Sequence, residues 1–366
     1  MMDGALLVFI DSLPFSCVPR MDFVAGARVL CELTPGFGYS SNLLPELFSG
    51  QRPDDLGFFC EWGYAPAQSE FARVAWLLPL LDRLCAIPSM ERVIRRLLRE
   101  AFGPTFKIPL RYLDRFARAS MDVYAPDFPF PTIFHSPGLV SVLPYAGVSR
   151  QRDEAGCVAA RQQIDAHHQV FVALPDLDSY GHLYGTEAPE YERKVLQLDT
   201  WLRDLCEGFL HRYSNGRVIV VSDHGMANVE RGYRLTIEDQ VGPSDRDKYT
   251  YFIDSTLLRV WIHDAGLYWA VGDYLDGLAV GALVSSDQRE QYGIRSRAFG
   301  DFILVLNEGL VFHPSSLSNK VPKGMHGYHP ELPSQKGVFA AFGAPLPGDA
   351  FPRTNIEVAD ILMGIL

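Results

Sequence analysis

Runs of residues that are apolar on both faces constrain this chain most. A strand buried on both sides needs helices above and below it, and so belongs to a parallel, helix-covered sheet. Residues 5–10, 170–174, 217–222, 302–306 and 337–342 are such candidates, and longer helical patterns alternate with them. Residues 189–213 read as one amphipathic helix, with Pro189 suited to its first turn and Leu196, Leu198, Trp201, Leu202, Leu205 and Phe209 on its apolar stripe. Thr354 and Glu357 read as a capping box that opens the last helix ahead of Val358, Ile361 and Leu362. The fold class this implies is α/β, with a mainly parallel sheet sandwiched by helices.

The residues just past these strands are chemically uniform. Asp11 ends the first, Asp178 and His182 come after the second, Asp223 and His224 after the third, and His326 lies in Gly324-Met-His-Gly-Tyr328. Ligands in open α/β sheets gather beyond the carboxyl ends of the strands, so residues far apart in sequence can meet there. Three carboxylates and three imidazoles suffice for two divalent metals. In Asp178-Ser-Tyr-Gly-His182, Gly181 is expected to let the backbone turn so that both ligands face one ion. Neighbours at a strand end point to opposite sides, so Gly225 is expected to do the same for Asp223 and His224.

Composition narrows the function. The chain has 366 residues, 48% of them hydrophobic, and a net charge of -11, which argues against binding to a nucleic-acid polymer. A small anionic substrate is compatible if metal supplies local positive charge. The first strand begins almost at the N-terminus and delivers Asp11, so a cleaved signal peptide would remove the site. No apolar run approaches the length of a bilayer span. A cytoplasmic protein without a membrane partner is expected, its oligomeric state open. The six cysteines show no CxxC or zinc-ribbon spacing and are expected as buried free thiols.

The texture changes between residues 64 and 135, where 68–86 and 90–102 look helical and 126–132 reads as an extended linker. The expected organisation is a catalytic core of 1–63 and 136–366, a helical cap of 64–135, and a peripheral lobe at about 227–300. Arg92, Arg95, Arg96 and Arg99 read as a solvated helix face rather than a phosphate clamp.

A nucleophile candidate lies in Thr34-Pro-Gly-Phe-Gly-Tyr-Ser40-Ser41-Asn42, where a Gly-rich turn enters a helix-like run. A serine hydroxyl there sits at a helix N-terminus, which favours negative charge. Capping the helix is the competing role, because a lone serine needs a base or a cation to attack.

Together these elements resemble the alkaline phosphatase superfamily, in particular its type I phosphodiesterase/nucleotide pyrophosphatase branch. The series is Asp11; Ser40 with Ser49-Gly-Gln-Arg-Pro-Asp-Asp-Leu-Gly57; Asp178-Ser-Tyr-Gly-His182; Asp223-His-Gly225; and His326-Gly-Tyr328. The resemblance implies an alkaline-phosphatase-like core and two divalent ions, Zn2+ or else Mn2+. One would be held by Asp178, His182 and His326, the other by Asp11, Asp223 and His224. Counting back from Ser49-Gly50 selects Ser40 as the nucleophile, with Ser41 as the alternative. The family's Phe-Pro-Asn is replaced by the stretch around Ser41-Asn42, and Glu61-Trp62 stands where nucleotide pyrophosphatases carry a phosphoryl-binding asparagine. Asn42, Glu61, Trp62 and Asp254 are substrate-contact candidates; His329 and the pair His167-His168 read as loop or surface residues. The expected function is metal-dependent hydrolysis of a phosphodiester or phosphate ester of a small phosphorylated substrate, through a phosphoserine. A phosphomutase of the same superfamily, or an inactive binding protein on its scaffold, are the alternatives.

Overall fold

The computed structural model describes residues 3–102, 109–143, 152–315, 320–349 and 351–366. The chain divides into two units, Met1–Arg52 with Met121–Asn228 and Lys323–Leu366, and Pro53–Ser120 with Val229–Pro322.

The first unit is built on six strands, β1 (Asp3–Ile10), β2 (Val29–Leu33), β3 (Val140–Val142), β4 (Gln169–Leu174), β5 (Asn215–Val221) and β6 (Gly337–Gly343). Their order across the sheet is β2-β6-β5-β1-β4-β3. β1 runs parallel to both β4 and β5, and β3 parallel to β4, whereas β6 is antiparallel to β5 and β2. The sheet is therefore mainly parallel, as the doubly apolar runs imply. Helices α1 (Ser40–Ser49), α2 (Arg152–Ala166), α3 (Asp176–Tyr184), α4 (Pro189–Arg212) and α5 (Asn355–Ile365) belong to this unit. The period-2 alternation of each strand decides what packs where. Leu6, Val8 and Ile10 share a buried cluster with Val195, Leu198, Leu202 and Phe209 of α4. Phe9 and Phe171, from the opposite face, meet the edge of Phe48 in α1. Each such side chain contributes about 1.5–3 kcal/mol on burial.

α4 matches the sequence expectation to within one residue. α5 begins after Thr354 as expected, but the capping box does not close. The Glu357 carboxylate accepts from Arg353 N instead of Thr354 N, 2.6 Å away.

The second unit holds an antiparallel sheet ordered 249–253, 257–262, 302–306, 281–283. Residues 302–306 thus lie outside the parallel sheet. A strand buried on both faces carries no mark of its direction or its neighbours. The expected helix over 68–86 breaks into 3-10 turns and a short helix, Leu78–Leu84. Pro79, which lacks an N–H, fits only the first turn of a helix. Residues from the helical stretch and from the lobe near 227–300 share one core, in which Trp62, Phe71, Ile94, Tyr112 and Phe116 pack with Phe252 and Trp261. Residues 121–135, expected in the cap, belong to the first unit. All six cysteines are free thiols.

Candidate active site

β5, β1 and β4 lie side by side and parallel, so their carboxyl ends share one edge. Ile10 pairs with Leu174 and Phe9 with Val221, which brings the residues beyond them level. Asp11, Asp223 and His224 come from the first two exits, and Asp178 and His182 come from α3, just beyond the third. His326 follows a two-residue antiparallel pairing of Gly324–Met325 with Ala227–Asn228.

These side chains converge. Ligand atoms of Asp11, Asp223 and His224 lie within 4.8 Å of one another, and so do those of Asp178, His224 and His326. His182 completes the group, its Nε2 3.3 Å from Asp178 Oδ1. The second trio includes His224, where the sequence reading has His182. The physical reason is a stack: the His224 ring lies over His326 with centroids 3.8 Å apart, which brings His224 close to both trios.

Backbone carbonyls set the imidazole tautomers. His182 Nδ1 lies 2.9 Å from Gly324 O and His224 Nδ1 2.8 Å from Gly225 O. With Nδ1–H donated to a carbonyl, Nε2 is the nitrogen that faces the cluster, the arrangement metal-ligating histidines adopt. Buried Asp178 Oδ1 and Asp223 Oδ2 accept no hydrogen bond among the described residues. Acceptors facing acceptors call for a cation, so the donor set fits a divalent metal of the N/O-ligated kind.

Electrostatics agree. Burial, then the neighbouring Asp178 and Asp223, push the Asp11 carboxyl well above its usual range. Burial raises Asp223 to about 8, with Asp178 adding to the shift. Burial acts the same way on Asp178, but the adjacent His182 overrides it and holds that carboxyl low. His182 is raised to about 9 by Asp178 against the effect of its own burial, and buried His326 is held well below its ordinary value.

The hydroxyl brought to the cluster is that of Ser40. It opens α1, with Oγ 2.9 Å from His224 Nε2 and 3.5 Å from Asp11 Oδ1. Tyr39 is the N-cap, and its ring stands edge-on to His326 at 5.7 Å.

Several expectations are corrected. Gly181 makes no turn: α3 continues through it, and helical i,i+4 spacing alone puts Asp178 and His182 on one face. Its bare Cα is needed because a Cβ would stand 2.7 Å from Met226. Gly225 likewise answers to a close approach, since a Cβ there would lie 2.1 Å from Ser334 O. Asn42 serves the helix rather than a substrate. It is fully buried, its amide oxygen accepts from Tyr39 N, and its nitrogen donates to Phe37 O and Glu46. Asp254 and Trp62 are buried in the second unit, where Asp254 takes two hydrogen bonds from Arg259 and Trp62 O a third. Glu61 pairs with Arg118. His329, half-buried, meets the edge of Phe37.

Three supporting residues carry no signal in the sequence. Ser12 has a positive φ of 64°, a strain of about 1–3 kcal/mol for a residue other than glycine. Its N–H points at Asp223 Oδ1, and its hydroxyl donates to Gly225 O at 3.1 Å. Ser222 Oγ accepts from Leu13 N, and Asn355 Nδ2 donates to Asp223 O. Serines just past strand ends and an asparagine at the first position of a helix give no periodic pattern.

Known proteins share this fold. A family model described as type I phosphodiesterase / nucleotide pyrophosphatase matches residues 120–329. A Saccharomyces cerevisiae protein named ectonucleotide pyrophosphatase/phosphodiesterase 2 is 32% identical over 87 residues, 22% of this chain and 18% of that protein. The match thus spans under a fifth of that curated relative's length. Murine ectonucleotide pyrophosphatase/phosphodiesterase 5, in an inactive form in complex with AMP, aligns with a TM-score of 0.66 and 16% identity, covering 99% of this chain and 94% of that one. The human counterpart gives 0.59 and 15%, over 98% and 93%. At such identity these structures speak for the fold.

Proposed function

The chain belongs to the type I phosphodiesterase/nucleotide pyrophosphatase family, and on that premise we propose that it hydrolyses a phosphodiester or pyrophosphate bond of a small, nucleotide-like substrate through a phosphoserine on Ser40. The observation that carries this reading is the position of the Ser40 hydroxyl, 2.9 Å from His224 Nε2 and beside Asp11, at the edge of a cluster of three carboxylates. The AMP held by the murine relative supports the substrate class.

Asp11, Asp223 and His224 would hold one divalent cation and Asp178, His182 and His326 a second, with zinc best suited to this mixed N/O set. Bound there, the cations supply the positive charge that favours an ionised serine and neutralises a leaving oxygen. The chain's own residues do the positioning. Gly225 O fixes the His224 tautomer, so Nε2 keeps its lone pair for a cation, and Ser40 Oγ stands beside that donor with its own lone pairs open to phosphorus. Ser40 Oγ bonds to phosphorus as the opposite P–O bond breaks in line; water then attacks the phosphoserine and regenerates the hydroxyl. The free N–H groups at the start of α1 favour the transferred group's negative charge.

The test compares nitrophenyl phosphate, bis(nitrophenyl) phosphate and the nitrophenyl ester of thymidine monophosphate on protein of measured metal content. Hydrolysis of both diesters in proportion to bound metal, and faster than the monoester, is expected. Turnover independent of metal, or confined to the monoester, would overturn the proposal.

A further inference from the structure

The second unit carries a surface that the proposed chemistry does not use. Among the described residues, fourteen large hydrophobic side chains are exposed, and six of them fall between residues 76 and 97. Trp76 is 80% exposed, Leu97 59% and Val93 54%, with Leu80, Ile87 and Met90 also open to solvent. The helix Pro88–Phe102 explains half of this. Ile94 and Leu98, four residues apart, are its buried row. Met90, Val93 and Leu97, at spacings of three and four, form a second apolar row that remains exposed. Beyond that row around the helix come Arg92, Arg96 and Arg99. A helix with one apolar row in the core needs no second one outside, and a scattered surface apolar residue does not recur at helical spacing.

The charge around this face identifies what covers it. Residues 70–102 carry six arginines against four carboxylates, a surplus of two positive charges in a chain whose net charge is -11. Arg95 and Arg96 pair along the helix with Glu91 and Glu100. Arg73, Arg83, Arg92 and Arg99 make no ion pair among the described residues, so their charge is available. Exposed tryptophan and aliphatic residues beside unpaired arginines are what an interfacial helix presents to an anionic bilayer.

We propose that the surface formed by residues 76–99 is a peripheral docking site for an anionic phospholipid membrane. The aliphatic row and Trp76 enter the headgroup boundary, and the arginines meet lipid phosphates and carboxylates. Among the described residues no helix is long and apolar enough to cross a membrane. This departs from the sequence reading of a merely solvated arginine face and of no membrane partner. That reading weighed the arginines without the second apolar row, which shows only once the burial of Ile94 and Leu98 is known.

Flotation of the full chain with vesicles of phosphatidylcholine, with and without phosphatidylserine, tests the proposal. Binding to the anionic vesicles at low salt, lost at high salt, is expected. Arg92→Glu/Arg96→Glu/Arg99→Glu and, separately, Val93→Gln/Leu97→Gln should each weaken it about tenfold or more, with far-UV circular dichroism and esterase activity unchanged. The blue shift of tryptophan emission on vesicles should shrink in Trp76→Phe. No flotation at low salt, or equal flotation of folded variants, would overturn it. So would a concentration-dependent dimer that Val93→Gln/Leu97→Gln dissolves, since the face would then belong to a second copy.

Discussion

Two clusters of buried charge lie close together in sequence in the first unit, and they are solved in opposite ways. Around α2, α3 and α4, Lys194 Nζ sits 2.8 Å from Asp153 and 3.5 Å from Asp176, and Arg152 Nε is 2.8 Å from Asp176. The main-chain N–H groups of Asp153 and Asp176 each donate to the other's carboxylate, and Trp201 lies 4.9 Å beneath the ammonium. Two cations answer two anions at ion-pair distance, although Asp153 Oδ2, facing Lys194, takes no hydrogen bond among the described residues. Two residues further on, Asp178 joins a group of three carboxylates whose ion-pair partners among the described residues are histidines, and where buried Asp178 Oδ1 and Asp223 Oδ2 accept no hydrogen bond. Charge buried in balance holds a fold together, whereas charge buried out of balance needs something from outside.

The largest effect expected from testing this contrast is chemical. Ser40→Ala should lower turnover roughly 10^4-fold or more, while Ser41→Ala stays within about threefold. Both should retain their metal by elemental analysis. A collapse in Ser41→Ala with an active Ser40→Ala would reassign the nucleophile and move the reacting centre away from His224.

The next pair of variants sets the two clusters against each other. Lys194→Met leaves buried carboxylates uncompensated and should cost about 3–5 kcal/mol in urea unfolding, with metal stoichiometry unchanged. Asp223→Asn should do the reverse, losing metal and activity while the metal-free protein stays as stable as the parent or gains stability, because a repelled buried carboxyl is gone. Equal destabilisation of both metal-free variants would show that the site is as self-sufficient as the lysine network.

The smallest effect is on pH. In the metal-free protein the Asp223 carboxyl is raised to about 8 and the His182 imidazole to about 9. Folded values above the unfolded ones mean stability that is present at low pH and lost as pH rises through the folded pKa. Between pH 7 and 9 both groups act in this direction, so the metal-free protein should lose stability on the order of 1 kcal/mol. The metal-loaded protein, whose ligands are already deprotonated, should not. Parallel denaturation curves for the two forms across this range would remove the electrostatic half of the comparison.

Much of the site is legible in the sequence because every ligand candidate but His326 comes after an unbroken apolar run, and such runs are visible without knowledge of partners. Asp11, Asp178, Asp223 and His224 need only the rule that parallel strands end on a common edge. Less legible is anything set by an approach from far along the chain. Gly181 and Gly225 read as turns because the residues that crowd them, Met226 and Ser334, are remote in sequence. Asn42 reads as a substrate contact because its buried partners, Phe37 and Glu46, are ordinary residue types. Residues 302–306 read as part of the parallel sheet because being apolar on both faces says how deep a strand lies and not which way it runs.

The contact between α3 and the segment bearing His326 bears on the proposed metal site. A Cβ on Gly324 would stand 2.5 Å from Gly181 O, and Lys323 N donates to His182 O at 2.9 Å. Main chain therefore rests on main chain where the segments carrying two of the imidazoles meet, with the Met226 side chain packed against both glycines. If Asp178, His182 and His326 hold a cation as proposed, this contact works as a calliper that sets the spacing of two of its donors, whatever loops elsewhere do.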